Sequence, residues 1–315
     1  MGKIYKEINK LKIVKSEKLK KHETKRNIFQ IGFVAISNGY YQGFLKGGIY
    51  QGPSKAVCVP GLNCYSCPGA LGSCPIGSFQ AVVSDRDYGM TFYILGFLTL
   101  VGALMGRFVC GFLCPFGLFQ DLLHKIPNKW KIRIVPGDRF LKYTKYLILA
   151  VFVILLPMFL VNDFGQGDPW FCKYICPSGT CMAGWPLGVL NEGIRGAIGW
   201  LFLWKSFLLV GIIILSVIIY RPFCRYLCPL GAVYGLFNNY SLYRFQVDSK
   251  TCIKCGKCQA VCPINIAVYQ RPNSAECIRC GRCLMVCPTH ALTRIPYLGL
   301  NKEKGGQSNE TQGDL

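Results

Sequence analysis

Eight cysteines near the carboxyl end of this 315-residue chain follow one strict spacing that occurs twice. The first run reads C-x2-C-x2-C-x3-C-P, and the second begins 25 residues later. The cysteines are Cys252, Cys255, Cys258, Cys262, Cys277, Cys280, Cys283 and Cys287. Structural zinc sites pair C-x2-C knuckles at longer separations and have no use for a third cysteine in register before C-P. The spacing therefore predicts two [4Fe-4S] clusters rather than zinc.

In such a run three close thiolates bind one cluster and the fourth reaches the other. The predicted ligand sets are Cys252, Cys255, Cys258 and Cys287 for one cluster, and Cys277, Cys280, Cys283 and Cys262 for the other. Cys262 and Cys287 thus exchange clusters. We expect an α+β, bacterial-type two-cluster ferredoxin domain over residues 246–295, which carries electrons.

Four long apolar stretches predict a membrane domain, because a spanning helix needs about 20 apolar residues. They are Asn27–Leu45, Tyr88–Gly106, Tyr146–Asn162 and Gly196–Tyr220. Only the last contains a charge, Lys205, which lies near the end of its stretch and is expected to snorkel outward. Helices buried in the core of a soluble protein are the alternative, which four such stretches together disfavour. The expected fold is mainly α, with a four-span core.

The net charge of +21 is unevenly placed. Residues 1–26 hold ten Lys or Arg and the connection 121–145 is also basic, whereas residues 47–87 and 162–195 are nearly neutral. Lys and Arg mark the cytoplasmic side of a membrane. We therefore expect a multi-pass protein of the cytoplasmic membrane, with its amino terminus and its ferredoxin domain in the cytoplasm. Nucleic-acid binding explains the amount of charge but not its placement.

The motif C-P-x-G occurs four times, at Cys74, Cys114, Cys176 and Cys228. It alternates between predicted outer and inner faces, so the core reads as two parallel repeats related by a pseudo-twofold axis along the membrane normal. The inner pairs Cys110/Cys114 and Cys224/Cys228 together supply four thiolates, the number that one [4Fe-4S] cluster requires. Cysteine as a small buried hydrophobe is the alternative. Pairing between the repeats predicts a third cluster at the membrane face.

The predicted outer loops contain seven further cysteines, which permit two interpretations. Extracytoplasmic cysteines ordinarily form disulfides, but seven leaves one unpaired. Alternatively, the loops share a cluster. Its ligands would be drawn from Cys64, Cys67, Cys74, Cys172, Cys176 and Cys181, with Cys58 outside the set. The sequence leaves both interpretations open.

The sequence lacks the residues that several classes of cofactor need. The histidines are His22, His124 and His290, none of them inside a predicted span, so no membrane haem is expected. No side chain has the pattern of a general acid or nucleophile, and no catalytic residue is predicted.

The expected organisation is a basic cytoplasmic tail (1–26), membrane repeat 1 (27–120), the connection with membrane repeat 2 (121–245), the ferredoxin domain (246–295) and a disordered tail (296–315).

These motifs resemble those of the NapH, NosR and YccM group of membrane polyferredoxins. The resemblance covers roughly residues 25–295, with Cys110, Cys114, Cys224 and Cys228 as the two C-x3-C-P pairs. It implies quinol oxidation, or electron transfer between quinone, cytoplasmic carriers and extracytoplasmic reductases. The cysteine-rich outer loops exceed the minimal pattern of the quinol-oxidising members.

The expected function is electron transfer between a cytoplasmic donor or acceptor protein and a quinone or extracytoplasmic redox protein. The chain would act as a quinol dehydrogenase-like subunit of an oxidoreductase rather than alone. Two alternatives are a transmembrane thiol-disulfide reductase, which would use outer pairs such as Cys64 and Cys67, and a NosR-like redox regulator. Iron content separates the first alternative from an electron carrier.

Overall fold

The computed structural model of the chain describes residues 17–85, 88–160, 167–196 and 198–295. This part is mainly helical and contains a two-stranded antiparallel sheet. Residues 1–16 of the predicted basic tail and the predicted disordered tail 296–315 lie outside the described residues.

The amino-terminal helix runs from Glu17 to Ser37, and from Arg26 onward it turns polar side chains inward. Asn27 and Gln30 are buried, whereas Ile28 and Ile36 are 63% and 74% exposed. Such an arrangement suits an apolar surrounding, because the polar groups find partners inside the protein. The first predicted span, 27–45, is not one helix. The helix ends before Asn38-Gly39, and a short helix, Tyr41–Lys46, follows.

The remainder of the first half alternates short helices with one long one. Its elements are a 3-10 turn Pro53–Ala56 and helices Pro75–Asp85, Tyr88–Met105, Phe108–Phe112 and Pro115–Lys125. The long helix ends at Gly106, whose φ of +51° is a left-handed conformation that favours glycine. A proline directly after Cys74 and after Cys114 begins the next helix, since the first turn does not need its N–H.

The second half contains helical segments with wide, π-type turns. The segments are Asp138–Ile148, Leu149–Leu155 (wide), Leu156–Phe159, Phe171–Ile175 (wide), Pro177–Gly179, Thr180–Gly184 (wide), Trp185–Leu190, Glu192–Gly196, Trp200–Ile218, Pro222–Tyr226 and Pro229–Phe237. A proline lies just after each wide segment: Pro157, Pro177 and Pro186. Proline cannot donate to the carbonyl four residues earlier, so the helix widens there.

Two helices are long and apolar enough to span a membrane: Asp138–Phe159 and Trp200–Ile218. Thr91–Met105 is apolar but shorter. Only 22% and 17% of the residues in the two candidate windows are buried, whereas the core helix of a soluble protein is mostly buried. Their outward side chains, such as Phe207 at 70% exposure, are apolar. This surface suits lipid better than water.

The ferredoxin domain is closed by strands Arg244–Val247 and Leu292–Ile295, which pair Arg244 with Ile295 and Val247 with Leu292. Between them lie two short helices, Lys257–Val261 and Arg282–Val286. Left-handed backbone positions recur at the same interval of 25 residues as the cysteines: Lys254 and Arg279, Gly256 and Gly281, Asn265 and His290. The domain is thus a duplicated backbone unit as well as a duplicated motif.

Candidate functional site

The structure brings the first predicted ferredoxin ligand set together. Cys252, Cys255, Cys258 and Cys287 line one small cavity, enclosed by Ile253 and Tyr269 among other residues. Cys287 comes from the second motif, so the exchange of the fourth cysteine is present in the fold. Their role as ligands of one cluster remains a prediction.

The second set, Cys277, Cys280, Cys283 and Cys262, also converges. Burial, together with the neighbouring Cys280 and Cys262, raises the pKa of Cys277 to about 12. Burial likewise raises the pKa of Cys283 well above its usual value, with Cys280, Cys277 and Cys262 adding to the shift. Four thiols this close are neutral without a metal and would lose their protons on binding iron, which fits an iron cluster.

The two C-x3-C-P pairs meet in the core, and we call Cys110, Cys114, Cys224 and Cys228 the proximal site. All four are at most 7% exposed. Burial raises the pKa of Cys224 to about 12, and Cys114 and Cys110 contribute to the shift. Burial also raises the pKa of Cys228, again with help from the other three. Residues from both halves thus form one buried set of thiols.

Two arginines cross between the halves and hold the proximal site together. Arg107 lies three residues before Cys110, and its Nη2 donates to the carbonyl of Cys224 at 3.0 Å. In the same way Arg221, three residues before Cys224, donates from Nη1 to the carbonyl of Cys110. Each arginine therefore fixes the backbone of the other half, and both place positive charge beside the four thiols.

A glutamine also positions the proximal site, and the sequence analysis missed it. Gln120 donates from Nε2 to Cys224 Sγ at 3.1 Å. Its Oε1 accepts a hydrogen bond from the backbone N–H of Phe223 at 3.2 Å. Hydrogen bonds to a ligating sulfur tune the potential of a cluster. The sequence C-P-x-G-x-F-Q, which occurs at Cys74 and Cys114, is the signal that would have identified it.

Buried carboxylates neutralise the two arginines. Asp121 accepts from Arg221 Nε and Nη2, both at 2.6 Å, and from Arg26 Nη2 at 2.7 Å. Although burial disfavours its charge, the two guanidinium groups hold the pKa of Asp121 far below its usual value. For Arg107 the carboxylate comes from the ferredoxin domain. Glu276 Oε2 lies 3.1 Å from Arg107 Nη1, and Glu276 Oε1 lies 2.5 Å from Lys145 Nζ.

The ferredoxin domain rests directly on the proximal site. Gly111, between the first two proximal cysteines, leaves no room for a side chain, because an added Cβ would lie 2.5 Å from the carbonyl oxygen of Ile278. Asn238 donates from Nδ2 to the carbonyl of Cys277 at 2.8 Å. The loop of the second ferredoxin ligand set is therefore in contact with the proximal cysteines.

The structure divides the predicted outer cysteines into groups. Cys64, Cys74, Cys172 and Cys176 line a cavity of about 260 Å³, and we call these four the distal site. The other three do not line this cavity: Cys67 lies beside both Cys64 and Cys181, and Cys58 forms a backbone bridge with Ser73. All seven thiols are free.

Lys205 does not snorkel outward, which corrects the expectation from sequence. Its Nζ donates to the carbonyl of Cys172 at 3.0 Å and lies at the distal cavity. The side chain is drawn inward because a buried carbonyl and a group of thiols offer it partners that lipid does not.

Within the described residues, no three His, Cys, Asp or Glu side chains converge closely enough for a single metal ion. A cubane binds its four thiolates through four separate irons, so its ligands do not need to meet at one point. The absence of such a group therefore does not bear on whether the four cysteine sets bind cubanes, which remains a prediction.

Comparison with protein families agrees with this chemistry. Residues 89–133 and 200–245 each match the 4Fe-4S binding domain, and residues 244–288 match the 4Fe-4S dicluster domain. The chain carries 4Fe-4S binding domains. The first two matches contain the proximal pairs, whereas all four distal cysteines lie outside the matched residues.

Relatives of the chain are distant. It is 28% identical over 179 residues to an uncharacterized protein of Methanocaldococcus jannaschii, a match that covers 55% of this chain and 58% of that protein. It is 28% identical over 177 residues to YccM of Escherichia coli, covering 54% and 44%. Ferredoxin-type protein NapH of Haemophilus influenzae is 29% identical over 176 residues, covering 53% and 54%. The matched region thus spans about half the length of these relatives. No solved structure matches it significantly.

Proposed function

We propose that this chain is a membrane-bound iron-sulfur electron-transfer protein, which passes electrons between a cytoplasmic donor and a quinone or extracytoplasmic acceptor. The observation that carries the proposal is the contact between the ferredoxin domain and the proximal site at Gly111 and Ile278. A protein that only stores iron would not need two cysteine sets from separate matched domains to lie in contact. The ferredoxin-type relative NapH and the name of YccM as an electron transport protein support the same class.

In this proposal the two ferredoxin ligand sets and the proximal site each hold one [4Fe-4S] cluster. Such clusters accept and release single electrons. The chain's own residues keep the sites dry and electrically balanced: Arg107 and Arg221 offset thiolate charge, and Gln120 orients Cys224. A cytoplasmic redox protein would reach the ferredoxin domain at Cys255, which is exposed.

Replacing Cys110 and Cys228 together with serine should remove one cluster and leave the ferredoxin pair intact. The expected loss is about four iron atoms per chain, the content of one cubane, because both cysteines belong to the proximal site. Iron and acid-labile sulfide are measured on anaerobically reconstituted protein, with cluster signals followed by electron paramagnetic resonance. The matched control is Cys58→Ser, which lies outside every cysteine set. If the double variant loses a ferredoxin signal instead, the assignment is wrong.

We also propose four spans in two parallel repeats, with both termini in the cytoplasm. The support is the placement of Lys and Arg in the sequence and the outward apolar side chains of the long helices. The first crossing would be interrupted at residues 38–40. There the backbone N–H of Tyr40 donates to the carbonyl of Gly69 at 3.1 Å, and that of Leu71 donates to the carbonyl of Ser37 at 3.0 Å.

Reporter fusions test this topology. Fusions after Gly52, Pro127, Gly167 and the carboxyl terminus should report outside, inside, outside and inside, respectively. Gly52 and Gly167 lie in the nearly neutral loops, whereas Pro127 lies in the basic connection and the carboxyl terminus follows the ferredoxin domain. Measurements use a reporter active only in the cytoplasm and one active only outside it. A cytoplasmic result at Gly52 or Gly167 would leave a quinone-linked carrier at the inner face as the better proposal.

A further inference from the structure

The distal site repeats the construction of the proximal site. Gln80 donates from Nε2 to Cys172 Sγ at 3.3 Å, and its Oε1 accepts from the backbone N–H of Phe171 at 3.0 Å. Gln120 makes the same two bonds to Cys224 Sγ and to the N–H of Phe223. Each glutamine lies six residues after a C-P-x-G cysteine, and each partner lies in F-C-x3-C-P.

The glycines of the two distal C-P-x-G motifs face the cysteines of the opposite loop. An added Cβ at Gly77 would lie 3.7 Å from Cys172 Sγ, and one at Gly179 would lie 3.5 Å from Cys64 Sγ. The backbone of Gly77 donates a hydrogen bond to the sulfur of Cys74, and the backbone of Gly179 donates one to the sulfur of Cys176. Backbone donors thus stabilise the thiolate form that binds iron.

We propose that Cys64, Cys74, Cys172 and Cys176 hold a further [4Fe-4S] cluster, for which Gln80 and Lys205 are positioning residues. The inference rests on the proposed function and deepens it by naming a redox site beyond the proximal one. On assembly each cysteine loses its thiol proton and forms one iron–sulfur bond. The core forms from four ferrous ions and four sulfide ions; a disulfide in the reconstitution mixture accepts two electrons and becomes two thiols, which leaves two ferric and two ferrous ions in the cluster. Lys205, beside the carbonyl of Cys172, offsets the net negative charge that four thiolates leave on the cluster.

The remaining outer cysteines are excluded by their positions. Burial raises the pKa of Cys181, and its neighbour Cys67 adds to the shift. Neither Cys67 nor Cys181 lines the distal cavity, and neither does Cys58. The seven outer cysteines thus divide into the four proposed ligands of the distal site, the neighbouring pair Cys67 and Cys181, and Cys58.

The distal site lies close to the proximal one. An added Cβ at Gly61 would lie 3.0 Å from Cys114 Cα. Because three residues span at most about 11 Å, the Cα atoms of Cys64 and Cys114 are within about 16 Å of each other. This upper limit is about half of the ~30 Å thickness of the hydrocarbon core. Tyr234 lies between the sites, fully buried, and its hydroxyl donates to the carbonyl of Pro60 at 3.0 Å.

Iron content after anaerobic reconstitution with ferrous iron and sulfide tests the proposal. We expect about 16 iron atoms per wild-type chain and about 12 in Cys74→Ser/Cys176→Ser, from four irons per cubane. The matched control Cys67→Ser/Cys181→Ser should keep about 16. About 12 in the wild type, unchanged in Cys74→Ser/Cys176→Ser, overturns the distal cluster and leaves the proposed function standing. About eight in the wild type overturns the proximal cluster, and with it the proposed function. Loss of iron in the control pair alone overturns the choice of ligands.

A second pair of variants keeps all cysteines, so it remains informative if the serine variants misfold. Gln80→Leu should shift the midpoint potential of one cluster, and Gln120→Leu should shift that of a different one, because each glutamine donates to a different sulfur. Potentials are read by electron paramagnetic resonance during redox titration. If Gln80→Leu leaves every midpoint unchanged while Gln120→Leu shifts one, the distal site holds no cluster.

Discussion

Asp121→Asn is expected to lower the free energy of unfolding by about 3–5 kcal/mol, the usual cost of breaking a buried ion pair from one side. The carboxylate is 3% exposed and binds Arg221 and Arg26, which are equally buried. Asparagine keeps the shape but removes the charge, so two guanidinium groups remain in a low-dielectric interior without their counter-ion. The measurement is denaturant unfolding in detergent micelles, followed by circular dichroism.

Glu17→Gln provides the matched control for this charge removal. Glu17 pairs with Lys21 at 3.5 Å, but both side chains are at least 75% exposed. Solvent screens such a pair, so its loss should scarcely change unfolding. If Asp121→Asn and Glu17→Gln behave alike, the carboxylate of Asp121 is not buried between the two arginines.

Gly111→Ala should separate the ferredoxin domain from the proximal site. The new methyl group would lie 2.5 Å from the carbonyl oxygen of Ile278, which is backbone and cannot rotate away. Overpacking of this kind costs about 1–3 kcal/mol, which lowers the ratio of docked to undocked domain by about 5- to 150-fold. We expect faster amide hydrogen exchange over residues 274–280. Electron transfer from the reduced ferredoxin domain into the core should slow.

Gly211→Ala is the control for this substitution. Gly211 lies in helix Trp200–Ile218, and an added Cβ there meets no described atom within 4 Å. It should leave both hydrogen exchange and electron transfer unchanged. If Gly111→Ala also leaves exchange over 274–280 unchanged, the contact described between the two parts does not exist in solution.

Spacing along the chain predicted those features that depend on local order. The exchange of Cys262 and Cys287 and the pairing of Cys110 with Cys224 followed from motif and repeat, and the structure places these residues together. Whether the thiols bind clusters remains a prediction. Two of the four predicted spans correspond to helices that are long and apolar enough to cross a membrane. Of these, Asp138–Phe159 begins eight residues earlier than the apolar stretch because its first turns are amphipathic.

Other features depend on contacts between distant segments and could not be predicted. Gln80 and Cys172 are 92 residues apart. The repeated C-P-x-G-x-F-Q motif singles out Gln80, but it does not show which cysteine the side chain contacts. Lys205 was expected to reach water, but the sequence did not reveal the carbonyl of Cys172 on the inward side of its helix. The break at Asn38-Gly39 was hidden because hydropathy measures apolarity and not helix continuity.

The counter-ion of Arg107 has a consequence for the order in which the protein matures. Asp121 stands seven residues after Cys114, but the corresponding position after Cys228 is Gly235. Glu276 supplies the missing carboxylate, and it is translated after both halves of the core. Until the ribosome has made residue 276, Arg107 and Lys145 lack this buried carboxylate. We therefore expect the proximal site to close only after synthesis of the ferredoxin domain, because two buried cations without a counter-ion disfavour the closed core.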